Sequence, residues 1–168
     1  MAARPPACPP PVRPVILLVD DDAVMRVTMA ARLMKLGYDI IQAENGDAGL
    51  SAARTHRPNL VILDWMMPEL DGPSVCEAIR ADPALNSCQV VLMTAHDEPH
   101  QIAEGLVRGA DDFLSKAASK QEIIARVQAN LRANALVREL ECTRDRLDRS
   151  NRQLSAKEQE LEGELQSG

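Results

Sequence analysis

Short apolar runs alternate along this chain with stretches in which apolar residues return every three or four positions. The runs are Val15–Val19 (VILLV), Tyr38–Ala43 (YDIIQA), Leu60–Leu63 (LVIL), Gln89–Met93 (QVVLM) and Asp112–Leu114 (DFL). Three of them are continuously apolar and rich in β-branched residues, as strands covered on both faces must be. Between them, Asp22–Leu36 places Val24, Val27, Leu33 and Met34 at helical spacing and stops before Gly37, a helix-ending residue. Asp47–His56, Gly72–Ala81, Glu98–Arg108 and the stretch from Ser119 onward read the same way. Strand and helix alternating five times imply βαβ units with right-handed crossovers. The fold class expected is therefore α/β, a doubly wound five-stranded parallel sheet between two helical layers.

The last fifty residues differ in kind. From Ser119 to Gly168 there is no proline, and Gly163 is the only glycine before the final residue, so nothing interrupts a long helix. Leu140, Leu147, Leu154 and Leu161 recur every seven residues. Taken as d positions of a heptad, they put Val137, Arg144, Asn151, Glu158 and Leu165 at a. Half of that seam is polar, so a weak coiled coil is expected, with Asn151 favouring a parallel, in-register homodimer. A single solvated helix rich in charge pairs is the alternative. At the other end, residues 1–14 hold six of the 11 prolines and read as a disordered leader. The expected organisation is leader 1–14, folded domain 15–135 and linker or coiled-coil helix 136–168.

Composition removes several function classes. No apolar run approaches the roughly 20 residues of a membrane helix, and the leader has no apolar segment of the secretory kind. The four cysteines (Cys8, Cys76, Cys88, Cys142) are scattered without a CxxC pair, which suits reduced thiols in the cytoplasm. Aromatics are 2% and the net charge is -6, so no direct nucleic-acid binding is expected. The acid is localised: residues 15–118 carry 8 basic against 16 acidic residues, whereas 119–168 carry nine of each. An excess confined to one segment suggests a carboxylate cluster in need of a cation; a soluble acidic surface is the plainer reading.

Open parallel sheets bind ligands beyond the carboxyl ends of their strands. Strand one runs into Asp20-Asp21-Asp22, strand three into Asp64, strand four ends at Thr94-Ala95, and strand five delivers Lys116. In a sheet of order 2-1-3-4-5, Asp20, Asp21 and Asp64 converge, flanked by Thr94 and Lys116. Three carboxylates so close repel one another unless a cation intervenes. Lys116 supplies one positive charge and Mg²⁺, a hard ion bound by oxygen, supplies two. Such a site can receive a phosphoryl group, and Asp64 is a carboxylate able to attack phosphorus. Aspartates capping helices account for Asp22 or Asp47, but not for acid, acid, hydroxyl and lysine at four separate strand ends.

The motifs VDDD at 19–22, LDWMMPELDG at 63–72, MTA at 93–95 and GADDFLSK at 109–116 resemble those of the receiver domains of two-component response regulators. The resemblance spans 15–118 and implies the flavodoxin-like fold of that superfamily. It implies Asp64 as phosphoacceptor, with Mg²⁺ (or Mn²⁺) held by Asp21, Asp64 and the backbone carbonyl of Met66, and oriented by Asp20. It implies that Thr94 and Lys116 bind the phosphoryl oxygens and that Phe113 occupies the position of an aromatic switch. Movement of Thr94 would then open space for Phe113 to rotate inward. Implied partners are a sensor histidine kinase or phosphotransfer protein and a downstream effector. This chain departs from the family pattern in two places. Ala117 follows Lys116 where a cis-proline is usual, and Phe113 lacks a tyrosine hydroxyl.

Two other functions compete. An aspartate-based phosphohydrolase would pass through the same aspartyl phosphate but needs a second acid, for which Asp22 or Glu69 is the nominee. An adaptor would dimerise through 119–168 whatever the state of Asp64. Beyond the helix, two continuations fit, an attached effector enzyme or a free-standing regulator. His96 and His100, four apart with Pro99 between, are expected to be solvated loop residues rather than a metal pair.

Overall fold

The computed structural model describes residues 13–95 and 99–166, so most of the proline-rich leader, together with His96 and Glu98, lies outside the described residues. The strands are β1 (Val15–Val19), β2 (Asp39–Ala43), β3 (Leu60–Asp64), β4 (Gln89–Thr94) and β5 (Asp112–Ser115). All pair in parallel in the order β2-β1-β3-β4-β5. Their helices are α1 (Ala23–Met34), α2 (Gly46–His56), α3 (Gly72–Ala81), α4 (Pro99–Val107) and α5 (Lys120–Gln166). The doubly wound, flavodoxin-like sheet expected from the apolar runs is the one observed.

The inner strands β1, β3 and β4 are buried on both faces, whereas the edge strand β2 is partly open, and the residues of each inner strand still divide with period two. Ile16 and Leu18 of β1 and Leu60 and Ile62 of β3 pack with Met29, Ala30 and Leu33 of α1 and Ile123 and Val127 of α5. On the opposite face Leu17, Val19, Val61 and Leu63 meet Ala53 of α2 and Val75, Cys76 and Ile79 of α3. Burial of each such Leu or Ile side chain stabilises the domain by roughly 1.5–3 kcal/mol. Cys76, Cys88 and Cys142 remain thiols. Burial pushes the Cys76 thiol up to about 11, so it serves as a small apolar group and not as a nucleophile.

Helix starts follow capping chemistry. The Asp22 carboxylate accepts from the Val24 and Met25 N–H groups, Asn45 from Ala48, and Asp71 from Ser74. Asp22 is therefore the cap of α1, as the plainer reading of the acid run allowed. Asp47 is not a cap, because Asn45 takes that position in α2. A short 3-10 turn, Pro83–Leu85, precedes β4, and Asp82 caps it.

One unit of the chain ends at Asn134 and another begins at Ala135. Up to Asn134, α5 is held on the sheet by polar as well as apolar groups. Arg126 pairs with Asp112 at 2.8 Å, and the Asn130 amide donates to the same carboxylate. Asn134 is 1% exposed: its amide donates to the Ser87 carbonyl and its oxygen accepts from Asn59, whose own oxygen accepts from the Val15 N–H. From Ala135 the helix continues with Leu136, Leu140, Leu147, Leu154 and Leu161 each more than half exposed. No helix among the described residues is long and apolar enough to cross a membrane.

Candidate functional site

The acidic pocket is made where β1 and β3 end side by side. Val19 pairs with Leu63, so Asp20, Asp21 and Asp64 leave adjacent strands at the same level. One carboxylate oxygen from each lies within 4.8 Å of the others. Asp20 and Asp64 are buried (2% and 3% exposed), whereas Asp21 is open to solvent. Beside them, the Thr94 carbonyl accepts from the Lys116 N–H at 2.7 Å, bringing the ends of β4 and β5 to the same edge.

Lys116 closes the pocket. Its ammonium hydrogen-bonds Asp64 Oδ2 at 2.9 Å and lies 3.3 Å from Asp20 Oδ2. The peptide bond to Ala117 is trans, like every other described, and the lysine reaches the pocket without the usual proline. Asp20 Oδ1 accepts from the Asp22 N–H, but Asp20 Oδ2 is the one buried side-chain oxygen among the described residues with no hydrogen-bond partner. A buried carboxylate oxygen left without a hydrogen bond, next to two more carboxylates, is a donor set suited to a hard divalent ion such as Mg²⁺ or Mn²⁺.

Burial raises the Asp64 carboxyl above the usual range, and the charges of Asp20 and Asp21 add to the effect, while Lys116 offsets part of it. Burial pulls the Lys116 ammonium down, yet the hydrogen bond and charge of Asp64, with Asp20, carry it above its ordinary value. A carboxyl raised on folding binds its proton more readily in the native state, so stability falls as pH rises through the interval above 3.8. In chelator, we expect wild-type stability to decline from pH 4 upward until Asp64 is ionised, and the Asp64→Asn profile to be flatter there. Lys116 contributes stability at all pH values below 10.5, lost only as pH rises through its higher folded value. Urea midpoints across pH check both.

Thr94 is 4% exposed, and its hydroxyl donates to Gln101 Oε1 at 3.4 Å. Gln101 escaped the sequence reading, because nothing local marks a residue on α4 as facing a strand end. Gly72 was also missed. It starts α3 directly against the Asp64 carbonyl, where a Cβ would overlap the backbone, and its N–H bonds the Trp65 carbonyl at 3.0 Å. The loop between them is tight. The Leu70 N–H reaches back to the Pro68 carbonyl at 2.8 Å around Glu69, whose φ of 68° is the strained, positive-φ kind of γ-turn. Met66 in this loop is 70% exposed and Met67 is buried. Together with Trp65, Pro68, Asp71 and Gln101 they line a cleft of about 600 Å³.

Phe113 is packed into the domain beside this cleft. The ring lies inside, 9% exposed, with its centroid 6.0 Å from that of Trp65. The cause is Gly105 on α4: any Cβ there would collide with the ring, so its absence leaves the notch that Phe113 fills. His100 lies on α4; its proposed companion His96 is outside the described residues, so the pair is not placed.

Fold and pocket together define a doubly wound α/β domain with a carboxylate cluster and a lysine beyond the carboxyl edge of its sheet. The family model of the response regulator receiver domain matches residues 16–128, and the chain belongs to that family. Over 121 residues it is 38% identical to the alkaline phosphatase synthesis transcriptional regulatory protein PhoP of Bacillus subtilis, covering 72% of this chain and 50% of PhoP. Over 123 residues it is 38% identical to the DNA-binding response regulator MtrA of Mycobacterium tuberculosis, covering 73% of this chain and 53% of MtrA. The chain thus spans about half the length of the curated relatives it matches. MtrA is by name DNA-binding, so the expected absence of nucleic-acid contact finds no support among these relatives.

Among solved structures, the receiver domain of Francisella response regulator 1452 superposes with a TM-score of 0.66 at 32% identity, covering 71% of this chain and 98% of that one. The receiver domain of a signal transduction histidine kinase from Syntrophus aciditrophicus gives 0.65 at 30% identity, covering 70% and 89%.

Proposed function

We propose that residues 15–135 are a phosphoacceptor receiver in which Asp64 takes a phosphoryl group from a phosphohistidine of a sensor kinase or phosphotransfer protein. A carboxylate oxygen of Asp64 forms the new P–O bond while the P–N bond to the donor imidazole breaks. Lys116 neutralises charge on the phosphoryl oxygens. Thr94 gives up its contact with Gln101 and donates its hydroxyl to them. Asp20, Asp21, Asp64 and the Met66 carbonyl would hold Mg²⁺ or Mn²⁺, which supplies two further positive charges when bound. The observation that carries this reading is Lys116 Nζ, held between Asp64 and an Asp20 oxygen that has no hydrogen bond. The test is a Mg²⁺ titration of Trp65 fluorescence. Wild type should show a saturable change, and Asp21→Ala should shift its midpoint by about a hundredfold or more; coincident curves would dismiss the metal site.

A surface for the donor protein lies beside the pocket. Val24, Val27 and Met34 of α1 are 76%, 57% and 50% exposed, and with exposed Ala31 they form an apolar stripe running away from Asp21 and Asp22. Val27→Asp is expected to slow transfer from the protein donor about tenfold or more while leaving phosphorylation by phosphoramidate unchanged. Equal slowing with both donors would place the defect in the pocket and not in docking.

Residues 136–168 act as the linker helix that relays the phosphorylated state to an effector, pairing with a second copy through its leucine seam. The protein is a cytoplasmic signalling component, and any loss of its aspartyl phosphate by hydrolysis is slow.

A further inference from the structure

The leucine seam of α5 has a feature that the pairing of two copies does not by itself require, the placement of Lys157. We propose that the second copy lies parallel and in register, and that Lys157 is the residue that sets this orientation. The inference rests on the dimer reading above and names its geometry. With Leu140, Leu147, Leu154 and Leu161 at d, Lys157 takes a g position, Glu158 the a position beside it and Glu162 the following e position. All three are exposed on the single helix, and the leucines beside them are 58% and 53% exposed, so the whole group is open to a partner.

In a parallel, in-register pair the g residue of one helix faces the e residue of the next heptad on the other. Lys157 then meets Glu162 of the second copy and, because g also flanks the opposing a position, its Glu158 as well. Each lysine thereby compensates the like charges that Glu158 would otherwise present across the seam. Arg144, the other charged a residue, has Glu141 three residues before it and Asp148 four after it on its own helix. Asn151 meets Asn151, so each amide has a partner. An antiparallel pair reverses these gains. There g faces g, so Lys157 would meet Ser150 and Thr143; e faces e, so Glu141, Asp148 and Glu162 would be set against one another; and Asn151 would be buried against a leucine.

Charge reversal tests this in the full chain by sedimentation equilibrium. Lys157→Glu should weaken self-association at least tenfold, because three acids per helix then converge. The double variant Glu158→Lys/Glu162→Lys should weaken it similarly through converging lysines. An equimolar mixture of the two should form a heterodimer tighter than the wild-type pair, since every contact in the group is then between opposite charges. Dimeric wild type whose Lys157→Glu variant associates equally well, or a mixture that stays monomeric, overturns the orientation while leaving pairing intact. Wild type that is monomeric at every concentration overturns the pairing itself, and the orientation with it.

Discussion

Asp64→Asn is expected to fold normally and to lose phosphate incorporation by about a thousandfold or more, from phosphohistidine and small donors alike. The amide keeps the shape of the side chain and an oxygen for Lys116, but it has no anionic oxygen to attack phosphorus. Neighbouring acids cannot replace it. Asp20 is 2% exposed with one oxygen held by the Asp22 N–H, and Asp21 is the exposed member of the trio, whereas the Lys116 ammonium is hydrogen-bonded to Asp64. Acid-labile radiolabel on wild type and variant reads the result. Persistent labelling would mean that another residue carries the phosphoryl group. The same variant should be more stable than wild type near neutral pH in chelator, because it removes one charge from a buried cluster whose repulsion already raises Asp64. Both outcomes together separate a lost nucleophile from a lost fold.

The second large effect is expected at Gly72, a residue with no chemistry of its own. Its Cα packs against the Asp64 carbonyl, leaving no space for a methyl group between the end of β3 and the start of α3. Gly72→Ala must push α3 away from the strand that presents Asp64, and overpacking against rigid backbone costs about 3 kcal/mol or more. Thermal denaturation should show a fall in Tm of roughly 10 °C. Any folded fraction should also accept phosphate more slowly, since Asp64 would no longer sit squarely beneath Lys116. An unchanged Tm would show that the loop containing the Glu69 turn absorbs the strain.

Much of this architecture could be read before any coordinates. The sheet was legible because parallel strands buried on both faces must be continuously apolar, and VILLV, LVIL and QVVLM leave little else they could be. The pocket was legible because acids directly after such runs can only emerge at the strand ends. What could not be read depends on residues far apart in sequence. The hydrogen-bonded series Asn134–Asn59–Val15 ties α5 to the start of β3 and to β1 over separations of 75 and 44 residues, and neither asparagine differs locally from a solvated one. Gln101 touches Thr94 only because of how α4 is seated. The pose of Phe113 depends on the missing side chain of Gly105, eight positions away, and a glycine inside a helix announces nothing about the ring it admits. The start of α1 was placed one residue early for a local reason: the capping Asp22 belongs to the helix by chemistry but not by backbone angle.

Because Gly105 has no side chain, the Phe113 ring occupies the notch it leaves in α4 against Trp65, and any larger residue at 105 would have to expel the ring. Gln101, which accepts from the Thr94 hydroxyl at the end of β4, lies on the same helix, so a residue that displaced the ring would also disturb the contact between α4 and the pocket.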